Sequence, residues 1–495
     1  MTTDPTPIHL PWRSALLDPR TYPHPVDDIQ VVETHISVVA LTGPFAYKLK
    51  KPVKFSFIDF STLARRHWFC TEEVRLNQRT APDLYLDVVP LVQAGSGYCF
   101  GGEGEIVEHA LRMRQFAPQD RLDRVAARGQ LADALLIQLA DEVARLHSLA
   151  GAHIPSIAAT HPERLRRIFE ENSLLLPDTP QEQSLRERFA ARLRKLSGLL
   201  GERARCGRVR ECHGDLHLGN ICMWKGRPVL FDCIEFSEDL RVIDVLSDTA
   251  FLYMDLINSG LLDGAVGFLN RYLEKTSDYG GLEAWPLFLA YRAHVRAMVA
   301  HLTSRAADID PAAREELEAR RQRYLAFSAE ALEPPRRGIV LTVGLPGSGK
   351  STEALRIARS ERGVRIRSDV ERKRIHSTNP TADLYSAEMN RLTYEVMVAH
   401  ARAASIGGLL PVLDASFLRQ ADRARVLRLA YELQVPLRIL HLTAPLDVLE
   451  SRIAARRSEG TDPSDANAGV LRQMATCLEP FTPEEKLFVT ELRQD

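Results

Sequence analysis

Two stretches of this chain carry residues whose types and spacing suit work on phosphate. His213-Gly214-Asp215-Leu216-His217-Leu218-Gly219-Asn220 sets a carboxylate, Asp215, five residues before a carboxamide, Asn220. Gly344-Leu345-Pro346-Gly347-Ser348-Gly349-Lys350-Ser351 is a glycine-rich loop closed by a lysine and a hydroxyl. Phosphoryl transfer is mostly positioning and charge neutralisation: a base near the acceptor, one or two metal ligands, and a cation on the phosphates. The first stretch offers a base and a metal ligand, the second a phosphate cradle with its cation. They call for different scaffolds, so one domain cannot supply both. The chain is expected to join two phosphate-handling units.

The glycine-rich loop follows the apolar strand Ile339-Val340-Leu341-Thr342-Val343 and opens a helix, the context a phosphate-binding P-loop requires. Its glycines let backbone N–H groups wrap the phosphates, and the helix N-terminus adds positive potential. On that reading residues Gly344, Leu345, Pro346, Gly347, Ser348, Gly349, Lys350, Ser351 and Thr352 hold ATP. Lys350 reaches its outer phosphates and Ser351 the Mg²⁺. Beyond the loop, apolar segments alternate with helical ones: strand 364–367, strand 409–413, strand 437–442 and a helix from Leu446. That alternation predicts an α/β domain with a parallel sheet. Ser368-Asp369 and Val412-Leu413-Asp414 close two of these strands, and Asp414 is a candidate Mg²⁺ carboxylate.

This half resembles the P-loop small-molecule and polynucleotide kinases, of the AAA, gluconate-kinase, chloramphenicol-phosphotransferase and zeta-toxin types. The resemblance implies that Asp369 activates the acceptor hydroxyl. It also implies a lid whose arginines, Arg452, Arg456 and Arg457, close on the transferring group. Arginines there would neutralise its charge.

The N-terminal elements read as a small antiparallel sheet, 29–33, 37–41 and 45–50, with a turn at Thr42-Gly43-Pro44. A helix follows from about Ser61, its N-cap, to Arg79, with Leu63, Trp68, Val74 and Leu76 inward. Three more strands are expected at 85–91, 98–100 and 106–114. Helices fill the chain from Leu131, with Leu135, Leu139, Val143, Leu146 and Leu149 at helical spacing. Pro228-Val229-Leu230-Phe231-Asp232 is a short buried strand ending in a carboxylate.

Asp215 and Asn220 have the separation of base and metal ligand in a kinase catalytic loop. Lys48, in Phe45-Ala46-Tyr47-Lys48, resembles the phosphate-binding strand lysine of kinases. Glu73 on the following helix is placed to orient it; Lys50, Lys51 and Glu72 compete for these two roles. Residues 27–330 resemble the aminoglycoside phosphotransferase-like small-molecule kinases, whose loop reads HGDxHxxN. The resemblance implies Asp215 as base, Asn220 and Asp232 as Mg²⁺ ligands, and Lys48 on the phosphates of ATP. It implies adenine on the backbone of residues 107–115. A glycine-rich phosphate loop is missing: Thr34-His35-Ile36-Ser37 occupies that turn. His217 reads as a loop-supporting hydrogen bonder. Asp244, Asp248 and Asp255 read as caps and internal acceptors, or alternatively as an acidic wall for a cationic acceptor.

The expected fold is an α+β two-lobed protein-kinase-like domain followed by an α/β P-loop NTPase domain. The first spans 1–332, with an N-lobe at about 27–110 and a C-lobe at 111–332. Glu333-Pro334-Pro335-Arg336-Arg337-Gly338 reads as a linker, because two prolines end the preceding helix. The second domain spans 339–495. The 495 residues suffice for three cores, and 45% apolar with 26% charged residues is an ordinary globular balance.

A net charge of −1, with no arginine stripe interleaved with aromatics, argues against a nucleic-acid acceptor. Seven cysteines, an odd number without a CxxC pair, argue for a reducing compartment. An N-terminus rich in Pro and Asp and the lack of a long apolar run give a cytoplasmic reading without membrane contact.

The function expected is transfer of the ATP γ-phosphoryl group to small-molecule hydroxyls of the sugar, aminosugar or nucleoside class, at two sites. The alternatives are a sensor, in which one domain, more readily the first, binds ATP without chemistry, or a P-loop domain acting on nucleic-acid ends. Acceptor identity and oligomeric state are not legible.

Overall fold

The computed structural model describes residues 10–55, 58–151, 160–306, 309–335, 337–378, 380, 383–459 and 468–493, without the side chains of 456–459, 468 and 470. The chain forms two compact units that do not follow chain order. One holds residues 1–164 and 203–255, the other 165–202 and 256–495.

In the first unit six strands form an antiparallel sheet. Their order is Gln30–Glu33, Ser37–Leu41, Phe45–Lys50, Glu105–Arg114, Tyr85–Ala94, Gly97–Phe100. Alternation along Phe45–Lys50 buries Tyr47 and Leu49 in a core with Trp12, Leu16, Val38 and Leu91. It turns Lys48 and Lys50 together to the opposite face. The turn at Thr34 is closed by its own hydroxyl, which accepts from Ser37 N (3.0 Å).

The helix Leu63–Asn77 starts one residue later than expected, capped by Thr62, whose hydroxyl accepts from Arg65 N. Its inward face also differs from the apolar one anticipated. Arg66, Cys70, Glu73, Leu76 and Asn77 are buried, whereas Trp68 is 55% exposed. Charged groups can face inward because each meets a partner: Arg66 pairs with Glu108 (2.8 Å) and Glu73 with two lysines. Two hairpin strands, Ile221–Trp224 and Arg227–Leu230, follow the Asp215 loop.

The second unit contains a five-stranded, all-parallel sheet. Its order is Gly363–Arg367, Leu410–Asp414, Ile339–Val343, Leu437–Thr443, Val489–Arg493. Of the three inner strands, Ile339–Val343 and Leu410–Asp414 are buried at every residue, as a parallel sheet covered on both faces demands. The last strand is a finding the apolar pattern did not signal. Helices Leu262–Thr276, Trp285–Ser304 and Pro311–Ala331 precede this sheet in the same unit. Residues 333–338 lie in that unit as well. Among the described residues no helix is long and apolar enough to cross a membrane.

Candidate active sites

In the first unit the loop carrying Asp215 is held from below by two carboxylates. Asp248 accepts from the backbone N–H of His213 (3.0 Å) and of Gly214 (3.0 Å), and Asp255 from Leu218 N (2.9 Å). Asp244 pairs with Arg203 (2.7 Å). These three acids therefore act as internal acceptors. Gly214 has φ +88°, and a Cβ there would lie 2.9 Å from Leu240 O, so the loop requires glycine. The His213 ring nitrogen Nε2 meets Phe231 O (2.8 Å), joining the loop to the segment that ends in Asp232.

Within the loop Asn220 Nδ2 donates to Asp215 Oδ2 (2.9 Å) and to Asp215 O (3.0 Å). Asn220 thereby commits its N–H groups to Asp215 and keeps its amide oxygen as a ligand atom. His217 does more than support the loop. Its Nδ1 accepts from Gly219 N (3.0 Å), which puts the proton on Nε2, 3.3 Å from Asp215 Oδ2.

Lys48 stands between two carboxylates, donating to Glu73 Oε1 (2.8 Å) and Asp232 Oδ1 (2.7 Å). The competitors separate by geometry. Lys50, two residues on and on the same face, takes the other Glu73 oxygen (2.7 Å) and also Glu235. Lys51 turns to Glu33 and Thr34 O, and Glu72 to Arg75 and Arg241. Burial pushes the Glu73 carboxyl up, but the two ammonium groups beside it win and hold it at about 2. Burial also raises the Glu235 carboxyl above its ordinary value, against the pull of Lys50.

Asp232 itself adopts φ +63°, the left-handed region that Asp tolerates better than most residues, and its N–H donates to Tyr85 Oη (3.0 Å). Glu235 and Tyr85 escaped the sequence reading; Glu235 is visible only as an acid three residues past Asp232. The donor set of carboxylate and amide oxygens at Asp232 and Asn220 suits Mg²⁺.

In the second unit the P-loop leaves its strand at Gly344, whose φ of +151° and close approach to Leu442 O exclude a side chain. Lys350 Nζ donates to Leu345 O (2.7 Å). Ser351 Oγ donates to Asp414 Oδ1 (3.1 Å), while Asp414 Oδ2 is buried with no hydrogen-bond partner among the described residues. A hydroxyl beside a carboxylate with an orphaned oxygen fits a hard divalent cation. Burial pushes the Asp414 carboxyl up from its ordinary value, opposed by Arg365, Ser351, Arg367 and Lys350.

A cavity of about 960 Å³ opens over the loop. Pro346, Gly347, Gly349, Lys350, Ser351 and Thr352 line it, together with Asp369, Asp414 and Arg452. Asp369 accepts from Arg372 (3.0 Å), which also reaches Asn390 and lies over the Tyr385 ring. The Arg456 side chain lies outside the described residues, as do the side chain of Arg457 and residues 464–466. Arg367, Arg419 and Asp422 also line the cavity and were not anticipated. The signal for Arg367 was present: arginines alternate in Gly363-Val364-Arg365-Ile366-Arg367, just before Asp369.

Residues 72–285 match the model of the phosphotransferase enzyme family, and residues 339–481 that of an AAA domain. This chain carries both kinds of kinase-like domain. An uncharacterized protein of Mycobacterium tuberculosis and one of Mycobacterium bovis are each 28% identical over 470 residues, which cover 90% of this chain and 91% of theirs. The likeness therefore runs along nearly the full length of both chains. Among solved structures, an amicoumacin kinase in complex with AMP-PNP, Ca²⁺ and Ami is 14% identical, over 63% of this chain and 91% of its own, with a TM-score of 0.41. A gluconokinase from Sinorhizobium meliloti 1021 is 17% identical, over 32% of this chain and 83% of its own, with a TM-score of 0.25.

Proposed function

We propose that the protein is a bifunctional ATP-dependent phosphotransferase with two separate ATP sites, each passing the γ-phosphoryl group to a small-molecule hydroxyl. The observation that carries the reading is the Lys48 bridge to Glu73 and Asp232. It places a cation beside one proposed metal ligand, in the same unit as the Asp215–Asn220 pair. ATP with Mg²⁺ supplies the transferable group and screens its charge. Lys48 would hold the phosphates, Asn220 and Asp232 the metal, and Asp215 would accept the acceptor's proton.

In the second unit Gly344 through Thr352 would wrap the phosphates, Lys350 would pair with the outer ones, and Ser351 and Asp414 would hold the metal. Asp369 is proposed as the base there, with Arg452 and Arg456 closing on the transferring group. The cavity over the loop, about 960 Å³, is of a size for small molecules. Sugars, aminosugars and nucleosides are the classes to test.

The test follows ³²P from γ-labelled ATP into products across such a panel, in wild type, Asp215→Asn and Lys350→Ala. Each substitution should remove a separate product. Hydrolysis or binding without any labelled product would favour the sensor reading instead.

A further inference from the structure

The strand Gly363–Arg367 is an edge of the parallel sheet, and an edge leaves backbone groups that something must satisfy. Here a side chain does so. Asn270, on the helix Leu262–Thr276, donates through Nδ2 to Gly363 O (2.9 Å) and accepts through Oδ1 from Arg365 N (2.7 Å). That helix precedes the P-loop strand in sequence and lies within the phosphotransferase match, yet it packs on the P-loop sheet. Tyr279, stacked on His400 with centroids 4.4 Å apart, fixes the same segment independently.

One turn beyond Asn270, Glu274 faces two arginines. It accepts from Arg365 Nη2 (3.2 Å) and stands 3.6 Å from Arg367 Nη1, while its carbonyl accepts from Arg374 (2.5 Å). The opposite sides of both guanidinium groups turn to the P-loop. Arg365 Nη1 donates to Ser351 O (3.3 Å) and lies 4.0 Å from Asp414 Oδ2; Arg367 Nε lies 4.0 Å from the same oxygen. Asp414 Oδ2 is the buried oxygen without a hydrogen bond among the described residues. Two guanidinium groups thus stop short of a carboxylate that they would otherwise clamp with charge-assisted hydrogen bonds.

We propose that Glu274 is a positioning residue for the P-loop site: it draws Arg365 and Arg367 away from Asp414 and so keeps that carboxylate open to the Mg²⁺ of the nucleotide. The proposal rests on Asp414 as a metal ligand. It makes the helix Leu262–Thr276 a working part of the second ATP site rather than of the first. Without the Glu274 charge, both arginines relax onto Asp414, and Mg²⁺ must displace them.

The experiment uses the full chain carrying Lys48→Met, so that the first site is silent, and reads binding of a fluorescent ATP analogue as Mg²⁺ is titrated. Glu274→Gln should raise the Mg²⁺ concentration for half-maximal binding about tenfold and leave metal-free nucleotide affinity within about twofold. Adding Arg365→Gln removes one competing cation and should bring the midpoint back to within about threefold of the parent. A purely structural role for Glu274 predicts further damage from the second change.

A midpoint within about twofold of the parent in Glu274→Gln, or a double variant weaker than the single one, overturns the proposal. Should Glu274→Gln not fold, Glu274→Asp replaces it, its shorter side chain loosening both arginines. A raised Mg²⁺ midpoint that Arg365→Gln lowers again supports the account, and an unchanged midpoint refutes it. If Lys350→Ala binds the analogue as well as its parent does, the P-loop reading itself has failed and the proposal falls with it.

Discussion

Lys48 and Lys50 share one strand face and one carboxylate, yet their second partners differ in exposure, and this yields a paired prediction. The Lys50–Glu235 pair is dry, with side-chain exposures of 1% and 5%, whereas the Asp232 side chain partnering Lys48 is 41% exposed. Lys50→Met leaves Glu235 buried without its cation. Breaking one partner of a buried pair costs about 3–5 kcal/mol, so this variant should unfold at markedly lower urea. Lys48→Met strands the buried Glu73 Oε1 and the solvated Asp232 but leaves Glu73 its ion pair with Lys50, so its cost should be smaller, about 1–3 kcal/mol.

Activity should run the other way. Lys48 is the lysine proposed to meet phosphate, and loss of one preorganised cation is typically worth about 10²–10³ in rate. Lys50→Met, assayed where it is folded, should stay within about fivefold of the parent. The assay is phosphoryl transfer by the first site in a Lys350→Ala background, paired with urea unfolding of each variant. If Lys50→Met loses as much turnover per folded molecule as Lys48→Met, the division of labour along this strand is wrong.

Further outcomes are expected. Gly344→Ala places a Cβ 2.4 Å from Leu442 O, strain worth about 1–3 kcal/mol; nucleotide binding at the P-loop should drop while Asp215-dependent transfer persists, checked by binding titrations. Asp248→Asn leaves one of the His213 and Gly214 N–H groups facing an amide NH₂; about 1–3 kcal/mol of stability and most first-site turnover should be lost, read by melting and transfer assays. Glu73 and Glu211 sit at about 2 when folded, Glu211 because Arg75 and Arg241 overcome the upward push of burial. Carboxyls lowered by folding add stability above their ordinary value near 4.5 and lose it as pH falls toward 2. The melting temperature should therefore fall between pH 5 and pH 3, and Glu211→Gln should flatten that fall; a pH-independent melt contradicts the ion-pair account.

Much of this was legible in sequence where the signal is local. The P-loop, its flanking strand and helix, Asp414 at its strand end and Asp369 in the helix turn just past another follow from short-range spacing, because a parallel strand is a brief apolar run with a polar stop. The Asp215–Asn220 loop is equally local. The choice between Lys48 and Lys50 was not legible, since a period of two sends both to one face and only the fold places Asp232 beside the first. Trp68 misled for a related reason: helical spacing marks a face, but the face that turned inward is the one carrying Arg66 and Glu73, whose partners lie on strands far along the chain. Asn270 and Glu274 were invisible. Their partners lie more than ninety positions later, and nothing in a helix reveals that its polar residues satisfy the edge of another sheet.

The central claim is that two phosphoryl-transfer sites operate independently in one chain. The most direct measurement is γ-labelled ATP turnover, with products separated, in wild type, Asp215→Asn, Lys350→Ala and the double variant. The account predicts two labelled products, each lost with one substitution and retained with the other, and none from the double variant. A single product abolished by Lys350→Ala and untouched by Asp215→Asn would contradict it.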